Sequence, residues 1–133
     1  MIRIDIASFT PFYEQIKQQV MSQIGTGSLR PGDPLPSIRE LASSLLLNPN
    51  TVARAYRELE NDDLITTRKG KGCFVAPGAS KLVREGRLDG LGRMLDELLD
   101  EARRLELEPE ALKGLLNTRL QRRAKDRQGR KKP

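Results

Sequence analysis

The protein is a chain of 133 residues with a net charge of +6, a single cysteine and no histidine. The absence of histidine excludes imidazole zinc sites and the nucleophile–histidine pairs of many hydrolases, so we predict no enzymatic activity, no metal site and no cofactor. The positive charge is concentrated at the end of the chain, because residues 119–133 contain eight basic residues and one acidic residue. No apolar run is long enough to cross a membrane and residues 1–5 do not resemble a signal peptide, which predicts a cytoplasmic protein.

Two helices are predicted in the first part of the chain. The first has Thr10 as its N-cap and Pro11 as its first residue, and its apolar side chains recur at helical spacing until Gly25 and Gly27 end it. The second begins at a capping box, in which Ser37 and Glu40 each satisfy a backbone N–H of the other.

A third helix follows after a short turn, with Asn48 as its N-cap and Pro49 in the first helical position. Its apolar residues share one face and are Val52, Ala55, Tyr56 and Leu59. The residues of this helix that we predict to contact DNA are polar or basic and are Asn48, Asn50, Thr51, Arg54 and Arg57. Asn and Arg can each make two hydrogen bonds to a base edge, and Thr can reach a phosphate or a thymine methyl group. Two amphipathic helices joined by a tight turn predict a helix-turn-helix, although the third helix taken alone is equally consistent with an ordinary solvated surface.

Two short β-prone runs, residues 64–67 and 73–75, flank a basic segment. The predicted DNA contacts in this segment are Arg68, Lys69, Gly70, Lys71 and Gly72. The fold predicted for residues 1–77 is therefore mainly α with a small β-hairpin, a winged helix-turn-helix. The alternative for the hairpin tip is a solvated loop whose glycines only serve the turn. A nucleotide-binding P-loop is excluded, because Cys73 replaces the required Ser or Thr and a strand follows.

Residues 10–75 resemble the DNA-binding domain of the GntR family of bacterial transcription regulators. The matching motifs include Tyr13-Glu14-Gln15-Ile16, Pro31-Gly32-Asp33, Pro36-Ser37-x-Arg39-Glu40-Leu41-Ala42, Asn48-Pro49-Asn50-Thr51-Val52-x-Arg54-Ala55-Tyr56 and Gly70-x-Gly72-x-Phe74-Val75. The segment 48–52 is most similar to the YtrA-like subfamily. The resemblance implies that Arg39, the start of the third helix and the wing glycines contact operator DNA, and we add Ser37 to the predicted contacts.

The sequence departs from the family pattern at two positions. Asp63 stands where the family usually has glycine, which predicts a left-handed turn at a residue that tolerates one better than most. Ala53 stands where other subfamilies often carry arginine, so no base contact is carried over to that position.

The last third of the chain is predicted to form a homodimer. Gly78-Ala79-Ser80 is the predicted hinge, and residues 80–121 are the predicted helical dimerisation segment. The apolar residues of its first helix alternate spacings of three and four, the a/d pattern of a coiled coil, and are Leu88, Leu91, Leu95, Leu98, Ala102 and Leu105. A second helix is predicted from Pro109. The alternative is that these leucines pack on the winged domain of the same chain.

From Arg122 onward the chain is basic and lacks apolar periodicity, so residues 122–133 are predicted to be a disordered tail. Nonspecific attraction to DNA and a merely solvated end are equally consistent with this tail. The complete prediction is a homodimeric transcription regulator, a repressor rather than an activator, that binds double-stranded DNA at an inverted-repeat operator. The alternative is a nonspecific nucleic-acid-binding or architectural protein that uses the basic tail. The sequence identifies neither an effector nor the operator bases.

Overall fold

The computed structural model describes residues 2–131, and the chain divides after Leu88 into two units. The first unit contains α1 (Phe12–Thr26), α2 (Ile38–Leu45), α3 (Pro49–Asn61), β1 (Ile65–Arg68), β2 (Gly72–Val75) and the start of α4 (Ala79–Arg104). The second unit contains the remainder of α4 and α5 (Pro109–Lys131). The predicted fold class, a winged helix-turn-helix followed by two helices, is confirmed.

The core of the first unit is aliphatic. Its largest fully buried side chains come from α1, α3 and the hairpin and are Ile16, Val20, Ile24, Val52, Leu59, Ile65 and Val75. The same core includes the first turns of α4, where Ala79 is 0% and Val83 is 4% exposed. The predicted hinge at residues 78–80 is therefore wrong. Of the three small residues that suggested flexibility, Ala79 is buried in the core, while Gly78 and Ser80 are exposed beside it.

The segment before α2 pairs with the outer edge of the hairpin as a third, irregular strand. β1 and β2 pair antiparallel, with Ile65 opposite Val75. The backbone N–H of Gly32 donates to the Val75 carbonyl at 2.8 Å, and that of Leu35 donates to the Cys73 carbonyl at 2.9 Å. Although its prolines prevent a regular strand, this segment satisfies the outer edge of β2 and fixes the hairpin against the start of α2.

The start of α1 differs from the prediction, because Pro11 rather than Thr10 is the N-cap and no side chain caps the helix. Gln15 organises the chain there instead. Its Nε2 donates to the carbonyls of Asp5 at 3.1 Å and Thr10 at 2.9 Å, and its Oε1 accepts from the Asp5 N–H at 2.8 Å. Of the two glycines predicted to end the helix, Gly25 lies inside it, whereas Gly27 is the C-cap after Thr26 and is left-handed with φ 84°, as expected of a stop.

The second unit is helical to the end of the described chain. Leu105 lies just after the end of α4, and the N–H of Leu107 turns back to donate to the Ala102 carbonyl at 3.0 Å. α5 runs to Lys131, so the predicted disorder from Arg122 is wrong for residues 122–131, while residues 132 and 133 lie outside the described part. The disorder was expected because an apolar face is missing, but a run rich in arginine, lysine, glutamine and alanine without proline favours a helix by propensity alone.

No helix in the described residues is both long and apolar enough to cross a membrane.

Candidate DNA-binding surface

The third helix is fixed at its start by local capping and along its length by the core. The Asn48 side chain accepts from the Asn50 N–H at 2.8 Å, and Pro49 occupies the first helical turn, as predicted. The apolar stripe of α3 is buried, with Val52, Ala55 and Leu59 at 0% and Tyr56 at 3% exposure. Because this stripe faces the core, the opposite face of α3 is presented outward, where a DNA groove could receive it.

A buried tyrosine ties α3 to the segment before α2. The Tyr56 hydroxyl donates to the Pro36 carbonyl at 2.7 Å. Burial raises the pKa of Tyr56, so the hydroxyl remains protonated and able to donate. The Ser37 hydroxyl next to this carbonyl accepts from the Glu40 N–H at 3.1 Å, which confirms one bond of the predicted capping box. The reciprocal bond from the Ser37 N–H to the Glu40 side chain is not formed within the described residues, so that half of the prediction is wrong. The tyrosine therefore links the start of α2 to the helix that carries the predicted base contacts.

The predicted contact residues of α2 and α3 differ in solvent exposure and in whether their side chains already form hydrogen bonds or ion pairs. Arg39, Asn50 and Arg57 are exposed, and neither arginine forms an ion pair within residues 2–131. Thr51 is half-buried, while Asn48 and Ser37 are exposed but use side-chain oxygens as helix caps. Arg39 and Arg57 can therefore form new charge-assisted hydrogen bonds to a phosphate or a base without breaking an ion pair.

Arg54 is held on the flank of α3 that faces α1. Its guanidinium lies over the Tyr13 ring, with Cζ 3.7 Å from the ring centroid, and its Nε donates to Glu58 Oε2 at 3.3 Å. Because this bond uses Nε, the terminal nitrogens keep their donors for another acceptor. The support from Tyr13 and Glu58 was not predicted from the sequence. The spacing of four residues between Arg54 and Glu58 was the available signal.

Glu58 also joins α3 to α1 through Lys17. Lys17 Nζ lies 3.2 Å from Glu58 Oε1, and 3.9 Å from carboxylate oxygens of both Glu14 and Asp62. The hydrogen bond from Lys17 is the main reason that the pKa of Glu58 is lowered, although desolvation opposes it. Desolvation alone would lower the pKa of Lys17, but the hydrogen bond to Glu58 and the surrounding carboxylates outweigh it and raise that pKa. This flank of α3 is therefore close to charge balance, unlike the face that carries Arg57.

The hairpin tip carries the remaining predicted contacts. Gly70 and Gly72 have φ values of 77° and 105°, a left-handed backbone that glycine adopts without strain. Lys69 and Lys71 are exposed and form no ion pair within the described chain, whereas the Arg68 guanidinium packs over the Phe74 ring at 4.8 Å. The two lysines are thus the free cations of the tip.

A hydrogen bond positions the hairpin relative to α3. The Thr67 hydroxyl donates to Glu60 Oε2 at 2.7 Å. The tip and the outer face of α3 consequently belong to one unit, and together they could follow the backbone of a duplex.

Among residues 2–131 no group of three or more acidic or cysteine side chains is placed to hold a metal ion.

The predicted dimerisation residues are mostly exposed in the single chain. Leu88, Leu91, Leu95, Leu98 and Leu105, here called the leucine stripe, are between 47% and 64% exposed. Ala102 differs, because it is 7% exposed and its side chain is already covered within the chain. Five of the six predicted residues therefore present apolar surface that the single chain leaves in water.

The chain is similar to known bacterial regulators in sequence. A family model described as "Bacterial regulatory proteins, gntR family" matches residues 12–75. The chain is 42% identical over 112 residues to the HTH-type transcriptional repressor YtrA of Bacillus subtilis strain 168, a match that covers 84% of this chain and 86% of that relative.

Solved structures agree with this match. The fold is similar to that of a transcriptional regulator from Oenococcus oeni, with a TM-score of 0.76 and 32% identity over 88% of this chain and 97% of that one. It is also similar to the DNA-binding domain of AraR in complex with operator ORX1, with a TM-score of 0.50 and 28% identity over 55% of this chain and 90% of that one.

Proposed function

This chain belongs to the GntR family of bacterial regulatory proteins, and we propose on that premise that it is a transcriptional repressor that binds duplex DNA as a homodimer at an inverted-repeat operator. The relative that carries the word repressor in its name is matched over most of its length. Binding over a promoter would exclude RNA polymerase, and such a mechanism requires no part of the chain other than a DNA-binding unit and a dimer contact.

The outer face of α3 is the observation that carries the DNA-binding part of the proposal. Asn50 lies in the first turn of α3, where backbone N–H groups and the helix dipole favour negative charge. Arg57 lies further along the exposed face without an ion pair in the described chain. This combination suits a helix whose first turn meets the DNA while its arginine reaches a base edge or a phosphate.

The free lysines of the hairpin tip suit a second contact with the DNA backbone. Lys69 and Lys71 stand on either side of Gly70, whose missing side chain lets the backbone approach closely. Phosphate contacts of this kind position a protein on DNA and add affinity without reading sequence. We therefore assign base reading to α3 and orientation to the tip.

The leucine stripe supports the dimer. A single winged helix contacts few base pairs, and a twofold dimer doubles the site and links its two binding events. Twofold symmetry requires an inverted repeat whose half-sites lie about one helical turn, or a multiple of it, apart. The half-exposed leucines offer the apolar surface that such a contact would bury.

The direct test is to map the DNA that the protein protects upstream of its own gene, and then to measure its affinity for three duplexes by fluorescence anisotropy. The duplexes carry the complete repeat, one half-site or a scrambled sequence of equal length. We expect the complete repeat to bind about a thousandfold or more tighter than the scrambled duplex. Equal affinity for all three duplexes would reject the proposal and favour the nonspecific binder that uses the basic end of α5.

A further inference from the structure

A groove lies where α1, the residues after α3 and the start of α4 meet within the first unit. Its volume is about 480 Å³, which is in the range of small-molecule sites. The apolar side chains along it are Met21, Leu64, Leu82 and Val83. The groove is open to solvent on one side, and neither the base-reading face of α3 nor the hairpin tip contributes to it.

Arg87 places an unpaired cation in this groove. It forms no hydrogen bond or ion pair with any residue in 2–131. A Cβ atom built on Gly25 would lie 2.6 Å from the Arg87 Cζ, so the guanidinium lies directly against α1 and occupies the space that a side chain at position 25 would take. Gly25 is the penultimate residue of α1, and a side chain at this position would have to displace the Arg87 guanidinium.

The other polar groups of the groove leave this charge uncompensated. Gln18 and Ser22 are neutral. Asp62 carries the negative charge, but its carboxylate lies 3.9 Å from Lys17 Nζ and forms no ion pair with Arg87. An anionic group in the groove would therefore be attracted by Arg87 and repelled by Asp62.

We propose that this groove binds a small amphiphile with a carboxylate head at Arg87 and an apolar body along Met21, Leu82 and Val83, and that this ligand is an effector of DNA binding. Leu82, Val83, Gly86 and Arg87 all belong to α4. The same helix continues beyond Leu88 and carries most of the leucine stripe, so a ligand bound beside its core-packed start would contact the helix that forms the proposed dimer. This regulatory part rests on the proposed function, whereas binding to the groove does not.

The binding is tested on the full chain with octanoate, and with 1-octanol and octylammonium as probes of the same length. Calorimetry gives the affinity, and the backbone amide signals of Gly25 and Gly86 report where the probe binds. We expect saturable binding of octanoate, weaker binding of octanol and none of octylammonium. Octanol binding as tightly as octanoate would overturn the assignment of Arg87, and the absence of saturable octanoate binding would overturn the site.

Two variants and a matched control locate the contact. Arg87→Ala is expected to weaken octanoate about tenfold or more, as for the removal of a charge-assisted hydrogen bond, and to leave octanol unchanged. Gly25→Ala should weaken octanoate too, because the added Cβ displaces the guanidinium. Arg84→Ala removes the same charge from the same helix outside the groove and should change nothing. Equal weakening in the Arg84 and Arg87 variants would overturn the proposal in favour of general charge attraction.

The regulatory part is tested separately with the operator duplex. Saturating octanoate is expected to lower operator affinity about fivefold or more in the parent protein and not in Arg87→Ala. Octanoate that binds without changing operator affinity would overturn the effector role and leave the site. Octanoate that binds only to a monomeric variant would mean that a second copy covers the groove, which also overturns the effector role. If no duplex is preferred at all, the proposed function fails while the calorimetric result stands.

Discussion

The substitution Leu98→Asp tests the homodimer through the middle of the leucine stripe. Leu98 is 47% exposed in the single chain, and the other leucines of the stripe are 52–64% exposed. Burying a leucine completely is worth about 1.5–3 kcal/mol, so covering half-exposed side chains gains roughly 1 kcal/mol each, or on the order of 10 kcal/mol for two chains. Association itself costs about 4–15 kcal/mol, which is comparable to this gain, so a dimer held by the stripe would have a margin of at most about 6 kcal/mol.

Aspartate at this position removes more than that margin. It deletes two of the leucines from the interface and desolvates two unpaired carboxylates, at a cost of about 3–5 kcal/mol or more. We expect a monomer in sedimentation equilibrium, an unchanged helix content by circular dichroism, and operator affinity close to that for scrambled DNA. Leu99→Asp is the matched control, since Leu99 is 52% exposed but lies beside the stripe. A Leu98→Asp protein that remains dimeric and binds the operator normally would place the interface elsewhere and refute the reasoning.

Three further predictions concern DNA binding and the ion pairs that support α3. Arg54→Ala should weaken operator binding by about 1–3 kcal/mol and binding to scrambled DNA far less; equal weakening on both duplexes would make Arg54 a backbone contact. Replacing Lys69 and Lys71 by alanine, or truncating before Arg122, should make the plot of log affinity against log salt concentration less steep. The slope should fall by about 0.9 for each phosphate that the protein no longer neutralises. An unchanged slope would show that the removed residues do not contact phosphates. Glu58→Gln should lower the melting temperature at neutral pH. Because the pKa of Glu58 is lowered in the folded chain, its stabilisation is present above the ordinary glutamate pKa of 4.5 and is lost as the pH falls through the lower folded value. A deficit that persists in full at about pH 3 would contradict this origin.

The elements that present the candidate contacts could be predicted because their signals are local. The side chains of Ser37 and Asn48 each accept from a backbone N–H no more than three residues away, and the structure has both bonds. The left-handed turn predicted at Asp63 is also confirmed, with φ 61°. For the two caps the determining interaction is contained in the segment itself, so the sequence pattern is sufficient, whereas the turn at Asp63 was implied by the resemblance to the family.

The wrong or missed predictions concern local structure that depends on contacts between residues far apart in the sequence, which the periodicity of apolar residues does not reveal. Thr10 is a good capping residue, but its carbonyl is taken by Gln15 and α1 starts later. Ala79 looks like part of a flexible link, but it is completely buried in the core of the first unit. The support of Arg54 by Tyr13 was missed because it requires α1 and α3 to be packed together. Which side chains touch DNA stays a prediction, since it depends on a partner as well as on the chain.

A set of independent restraints fixes the placement of α3, and this bears on how the helix can discriminate bases. Leu46 before the helix and Asp63 after it both adopt left-handed backbones, with φ 56° and 61°, at a cost of about 1–2 kcal/mol each. Such strain persists only where the surrounding structure determines the conformation. Here the buried stripe of α3, the bond from Tyr56 to the Pro36 carbonyl and the Lys17–Glu58 pair each fix a different part of the helix. A mismatched base pair typically costs about 1–3 kcal/mol, and a helix free to shift by about an ångström could form alternative contacts that recover much of it. A left-handed residue also follows α4 at Glu106, with φ 57°, so these turns are ordinary helix ends, and it is the packing, the hydrogen bond and the ion pair that fix the proposed reading helix.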